Sequence, residues 1–274
     1  MSETGTFSAV SPDGSEIACG VTGLEIGRVP ALLLVHGTAD DRFGFDRVAP
    51  LLADSYTLYM MDRRGRGLST KQAADYAIER EFEDINALAD AIAAKHGAPT
   101  GLFAHSYGAL CAIGAARTAT NIGQIMLYEP PPGTPSSLVD RMVAADKDGD
   151  LEGVMHIQFV ELQHQPQSVF DRLKSDPKRW ARYLGFAGTI AREFVNARRF
   201  SLRDDEFADR EDVRFIVGEK TFPPLVKYTQ TALKAFARAD KHVLPGQGHA
   251  ALRMAPELVA SEIAQFFVSS DRLA

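Results

Sequence analysis

Short, mostly apolar runs recur along this chain and leave few folds open to it, the first of them, "ALLLV", apolar at every position. "ALLLVHG" (31–37), "YTLYMMD" (56–62), "TGLFA" (100–104), "QIMLY" (124–128), "VRFIVG" (213–218) and "KHVLP" (241–245) each read as a strand. A strand with one wet face alternates apolar and polar residues, whereas an unbroken apolar run suits a strand covered on both faces of a parallel sheet. Helical patterns lie between the runs. Ile78, Phe82, Ile85, Leu88 and Ile92 recur in steps of three and four, one face of a helix over 78–95. "SYGALCAIGAAR", "PLVKYTQTALKAFA" and "PELVASEIAQFFV" also read as helices, the last with Pro256 near its first turn. "FDRVAPLLA" predicts a short helix that contains Pro50, and "SPDGS" between "TFSAV" and "EIACGV" predicts a hairpin. Strands alternating with helices imply an α/β fold, with a mostly parallel central sheet flanked by helices. The alternation lapses once. Residues 135–212 are charged and helical in period, with aromatics such as Trp180, Tyr183 and Phe186 scattered through them. The expected organisation is a core of 1–134 and 213–274 and a helical insertion over 135–212, after the sixth strand.

Composition narrows the function classes. Of 274 residues 45% are hydrophobic and 24% charged, enough for a sizeable core. A net charge of −6 argues against a polyanion partner, so no nucleic-acid role is expected. Cys19 and Cys111 form no metal or redox motif. The polar, acidic start "MSETGTFSAVSPDGSE" lacks the basic and apolar segments of a signal peptide, and no apolar run nears the roughly 18 residues of a membrane helix. A soluble cytoplasmic protein without a membrane partner is the expectation.

One motif carries chemistry. "LFAHSYGAL" (102–110) places Ser106 between a strand and a helix, with Ala104 and Gly108 two residues to either side. A nucleophile on a sharp strand-to-helix turn crowds its neighbours, so only small residues fit there. The turn projects the hydroxyl at a helix N-terminus, where main-chain N–H groups point. The generic pattern is G-x-S-x-G, and alanine stands here for its first glycine. "MLYEPPPG" (126–133) raises a second question, because Glu129 ends an apolar run and three prolines stiffen the backbone after it.

With "VHG" (35–37), "MDRRGRGLS" (61–69), "AHSYGA" (104–109) and "LPGQGHAAL" (244–252) in this order, the chain resembles the α/β-hydrolase fold family over nearly its whole length. The resemblance implies a helical cap for the insertion, Ser106 as nucleophile, His249 as base, and the main-chain N–H groups of Thr38 and Tyr107 as oxyanion hole. The family's acid commonly follows the seventh strand as G-x-x-D. Here Thr221 occupies that slot, and threonine supplies no charge. Some relatives carry the acid after the sixth strand, which is Glu129, with Glu219 as its rival. His36 and His105 flank the site and are expected to be structural, as are Asp62 and Arg63 in their turn. His156 and His164 lack metal-ligand spacing.

The resemblance further implies a cofactor-free, metal-free serine hydrolase acting on a small or medium ester, thioester or lactone. Trp180, Tyr183 and Phe186 are candidate contacts to a partly apolar small-molecule substrate. Carbon–carbon bond hydrolysis, acyl transfer, perhydrolysis and non-catalytic ligand binding remain alternatives on the same fold. Dehalogenase and epoxide-hydrolase chemistry is disfavoured, since those relatives place aspartate where Ser106 stands.

Overall fold

The computed structural model describes residues 4–25, 28–70, 76–131 and 135–267. The first residues of the acidic N-terminus, the third proline after Glu129, the boundary at 134 and Val268 of the last predicted helix lie outside them. Among the described residues eight strands form one sheet: β1 (Gly5–Val10), β2 (Glu16–Gly23), β3 (Ala31–Val35), β4 (Thr57–Met61), β5 (Thr100–His105), β6 (Ile122–Tyr128), β7 (Val213–Gly218) and β8 (Asp240–Leu244). Their order is β1-β2-β4-β3-β5-β6-β7-β8. β2 runs antiparallel to β1 and to β4, and every pairing from β4 to β8 is parallel. This is the mostly parallel sheet that the apolar runs require. All five residues of β3 and of β4 are buried, because helices cover both faces. β8 closes the edge and is largely exposed, which accommodates its Asp240, Lys241 and His242.

The helices are α1 (Ala49–Leu52), α2 (Ile78–His96), α3 (Tyr107–Ala115), α4 (Ser136–Lys147), α5 (Leu151–His156), α6 (Gln167–Lys174), α7 (Pro177–Ala197), α8 (Pro223–Ala235), α9 (Ala251–Met254) and α10 (Pro256–Phe267). α2 follows its predicted span. Glu79 and Glu81 sit in its first turn, Lys95 and His96 in its last, and Gly97 ends it at φ 70°, each matching the helix dipole or the left-handed cap. Ile85, Leu88 and Ile92 on its inner face are fully buried, worth roughly 1.5–3 kcal/mol per side chain. The short helix expected around Pro50 is present and briefer than the stretch that predicts it. A 3₁₀ turn over Arg42–Phe45 precedes a single-turn helix that starts at Ala49 and holds Pro50 in its first turn, where a missing N–H costs nothing, so the helix covers only part of "FDRVAPLLA".

By their contacts the residues divide into two units, one of Met1–Gly37, Asp41–Pro132 and Leu202–Ala274, the other of Thr38–Asp40 and Gly133–Ser201. The first contains the whole sheet. Phe207 belongs to it and stacks on Phe236 with ring centroids 4.2 Å apart. The second holds α4 to α7 and a π-helical turn, Ile157–Leu162, around a core that includes Met142, Met155, Phe170 and Ile190. α7 opens on Asp176, whose carboxylate accepts the main-chain N–H of Lys178 and Arg179, both at 3.1 Å.

The "DRRGRG" turn is an ionic clasp inside the sheet unit. Buried Asp62 accepts from Arg42 N–H at 2.9 Å, Arg42 Nη1 at 2.7 Å and Leu68 N–H at 2.8 Å. A Cβ on Gly67, at φ 49°, would lie 2.0 Å from that carboxylate. Arg64 pairs with Asp84 at 2.5 Å and with Asp13 at 2.8 Å, and this bond holds the Asp13 carboxyl well below the usual range. The arginines of this turn are buried, so its charge serves the fold.

Candidate active site

The parallel register brings the carboxyl ends of three strands level. His105 of β5 pairs with Tyr128 of β6, and Tyr128 with Ile216 of β7. In open α/β sheets this end is where ligands bind. Ser106 follows β5 directly, with φ 54° and ψ −126°, a strained conformation for a residue with a side chain. Three features hold it there. Its N–H donates to Tyr128 O at 2.8 Å, and its carbonyl accepts from Ala109 N–H at 2.8 Å. The third is that Gly37 and Gly108 beside it carry no side chain. A Cβ on Gly37 would lie 2.8 Å from Ser106 Cβ, and one on Gly108 would lie 2.4 Å from His36 O and 2.7 Å from Val35 O. Because the two Gly108 clashes are with main-chain oxygens, Gly108→Ala should cost about 1–3 kcal/mol or more. Urea denaturation reads this directly, and a midpoint equal to the parent protein's would contradict the crowding argument.

The hydroxyl of Ser106 lies 3.0 Å from His249 Nε2. His249 Nδ1 lies 2.6 Å from Glu129 Oε2, so its N–H donates to the carboxylate and Nε2 is left to accept the serine proton. The other oxygen of Glu129 accepts from Gly218 N–H at 2.7 Å and from the Thr221 hydroxyl. Glu129 itself adopts φ 48°, a second strained non-glycine position. Its side chain is fully buried and that of His249 is 20% exposed, so the chain of bonds runs from interior to surface. Glu219 stands elsewhere. It is exposed, and its carboxylate accepts Gly246 N–H at 2.6 Å.

The loop that carries His249 is pinned from below. His105 Nε2–H donates to His249 O at 3.1 Å, with the two rings 4.6 Å apart. Burial first, then the neighbouring His249, pushes His105 well below the ordinary imidazole range. It therefore stays neutral and does not oppose a charge on His249. The Tyr128 hydroxyl donates to Gly248 O and accepts from Ala251 N–H at 3.3 Å. Burial, and next Glu129, raises the Tyr128 phenol above its usual range. Sequence reasoning treated Tyr128 only as strand core. No local signal marks its hydroxyl, because its partners lie 120 residues or more along the chain. His36 is structural in its bonding. Its Nδ1–H donates to Gly37 O at 2.8 Å and its Nε2 accepts Arg63 N–H at 3.1 Å.

The remaining candidates fall in both units. Tyr107 starts α3, fully buried, with the Arg63 guanidinium 4.7 Å from its ring centre and its hydroxyl 3.1 Å from that of Tyr76. Thr38 belongs to the helical unit, and its hydroxyl donates to buried Glu193 at 3.1 Å. Trp180, Tyr183 and Phe186 lie on α7 in that unit's own core. Trp180 packs edge-on to Phe170 at 5.4 Å, and Tyr183 to Phe159 at 5.4 Å and to Phe186 at 6.2 Å. Among the described residues no group of three or more His, Cys, Asp or Glu side chains could hold a metal, and no helix is long and apolar enough to cross a membrane.

A family profile described as the alpha/beta hydrolase family matches residues 32–262. The chain belongs to the alpha/beta hydrolase family. A solved alpha/beta hydrolase from Sphaerobacter thermophilus is 25% identical to this α/β hydrolase, with a TM-score of 0.81 over 96% of this chain and 100% of that one. An esterase of Rhodococcus, RhEst1, shares the fold at 20% identity and a TM-score of 0.71, over 97% of this chain and 98% of that one. A 2-(acetamidomethylene)succinate hydrolase of Mesorhizobium japonicum is 33% identical over 92 residues, 34% of this chain and 32% of that protein. A Mycobacterium tuberculosis protein named "Probable oxidoreductase EphD" is 33% identical over 102 residues, 36% of this chain. That match spans only 17% of the mycobacterial protein's own length.

Proposed function

We propose that this α/β hydrolase is a serine hydrolase that cleaves a small or medium ester, thioester or lactone through an acyl-enzyme on Ser106. The observation that carries the reading is the continuous chain Ser106 Oγ to His249 Nε2 at 3.0 Å and His249 Nδ1 to Glu129 at 2.6 Å, hung on a strained turn. His249 takes the hydroxyl proton as Oγ bonds to the acyl carbon, and returns it to the departing alcohol, thiol or lactone oxygen. Water then attacks the acyl-enzyme, again giving a proton to His249, which passes it back to the serine oxygen. The buried Glu129 carboxylate stabilises the imidazolium in both steps. Main-chain N–H groups of Tyr107 and Thr38 are the proposed oxyanion donors, each worth about 2.7–4 kcal/mol in the transition state. An aspartate-nucleophile reaction such as dehalogenation has no carboxylate to use at position 106.

Under this reading the helical unit is a cap, and Trp180, Tyr183 and Phe186 tune selectivity for the apolar part of the substrate. An alkyl fluorophosphonate should add one adduct, on the peptide that carries Ser106. A panel of p-nitrophenyl esters and lactones should be turned over without added cofactor. Substitutions at the three aromatics should shift preference along that panel more than substitutions in the β1–β2 hairpin. A protein that is folded, unlabelled and inert across the panel would be a ligand-binding member of the family instead.

A further inference from the structure

We propose that Thr221 is a positioning residue that holds the Glu129 carboxylate in line with His249; this rests on the serine-hydrolase reading above. The loop after β7 meets two things at once. Gly218 N–H and the Thr221 hydroxyl both donate to Glu129 Oε1, leaving Oε2 for His249. The same loop abuts the histidine-bearing loop, where Lys220 N–H donates to Gln247 O at 2.7 Å and a Cβ on Gly218 would lie 2.5 Å from that oxygen. Thr221 N–H closes the turn onto Gly218 O at 3.1 Å. Acid, base and anchor are thus referenced to one short segment.

The need for an anchor follows from side-chain length. Glutamate has one more rotatable bond than aspartate, and a carboxylate delivered from β6 must be fixed at its far oxygen to aim the near one. Gly218 N–H alone leaves the group free to pivot about a single bond. The Thr221 hydroxyl is the second point, and charge-assisted bonds of this kind are about twice as strong as neutral ones. Thr221 is 9% exposed, so water has little access to replace it. A residue at the slot where the resembled family places its acid is here the acid's support.

The test compares Thr221→Val, which keeps the shape and loses the donor, with Thr221→Ser, which keeps the donor. The expected result is a kcat about tenfold to a hundredfold lower in Thr221→Val, an unchanged KM, and recovery in Thr221→Ser. The low-field proton resonance of the His249 Nδ1–H bond should weaken or vanish in Thr221→Val and persist in Thr221→Ser. Thr221→Ala carries the same expectation should the valine variant prove unstable to heat. A kcat within twofold of the parent, a loss confined to KM, or a loss that serine does not restore would overturn the inference. The resonance reads the Glu129–His249 bond whether or not an ester is hydrolysed, so its persistence in Thr221→Val overturns the inference by itself. A resonance that responds in a protein whose Ser106 takes no fluorophosphonate overturns only the serine-hydrolase reading.

Discussion

Ser106→Ala is expected to lower kcat about 10⁶-fold and to abolish fluorophosphonate labelling. The hydroxyl is the only group that the reading asks to form a bond to substrate, so no neighbouring side chain substitutes for it. Residual rate over water should come from oxyanion and binding contributions alone. Folding should be little changed. Alanine keeps the Cβ, the N–H to Tyr128 O and the carbonyl that accepts from Ala109, so the strained turn retains its support. Steady-state turnover and intact-protein mass after probe treatment check this. Turnover that persists in a Ser106→Ala protein freed of parent enzyme would end the serine-hydrolase reading.

Glu129→Gln should lower kcat about 10⁴-fold while Glu219→Gln stays near the parent rate. The cause is the arrangement of donors. Gly218 N–H and the Thr221 hydroxyl both point at position 129, so a glutamine there must turn its oxygen toward them. Its NH₂ then faces His249 Nδ1, which must become an acceptor. The proton moves to Nε2, and an Nε2–H cannot accept the proton of Ser106. At Glu219 the carboxylate accepts Gly246 N–H on the surface, and a glutamine oxygen does the same. Thermal melts separate loss of function from loss of fold, since Glu129→Gln preserves volume. The opposite ranking of the two variants would move the acid to the loop after β7.

The two variants divide what was readable from residues alone from what was not. The sheet was readable because burial on both faces writes itself locally. "ALLLV" is apolar at every position and "VRFIVG" is interrupted only by Arg214, and β3 and β7 occupy those residues. Ser106 was readable because its turn needs small residues within two positions on either side. Gly108 stands 2.4 Å, at its would-be Cβ, from a carbonyl of the neighbouring loop. The short helix at Pro50 was readable in kind but not in extent, because a proline inside an apolar pattern does not say how far before it a helix begins.

Glu129 shows the boundary most sharply. Its position at a strand end, and the absence of an aspartate at Thr221, stand in the sequence. Its bonds do not. Gly218 and Thr221 lie 89 and 92 residues beyond it, and His249 lies 120. The parallel register of β6 on β7, with Tyr128 opposite Ile216, brings the loop after β7 to Glu129, and no pattern around position 129 announces that register. The same holds for Tyr128 on the histidine loop and for Thr38 on Glu193. The strands and the sharp turn at Ser106 depend on neighbours a few residues away, so they are legible along the chain. Which oxygen faces which proton is settled across the fold, because hydrogen bonds span about 3 Å and chain separation places no limit on who supplies them.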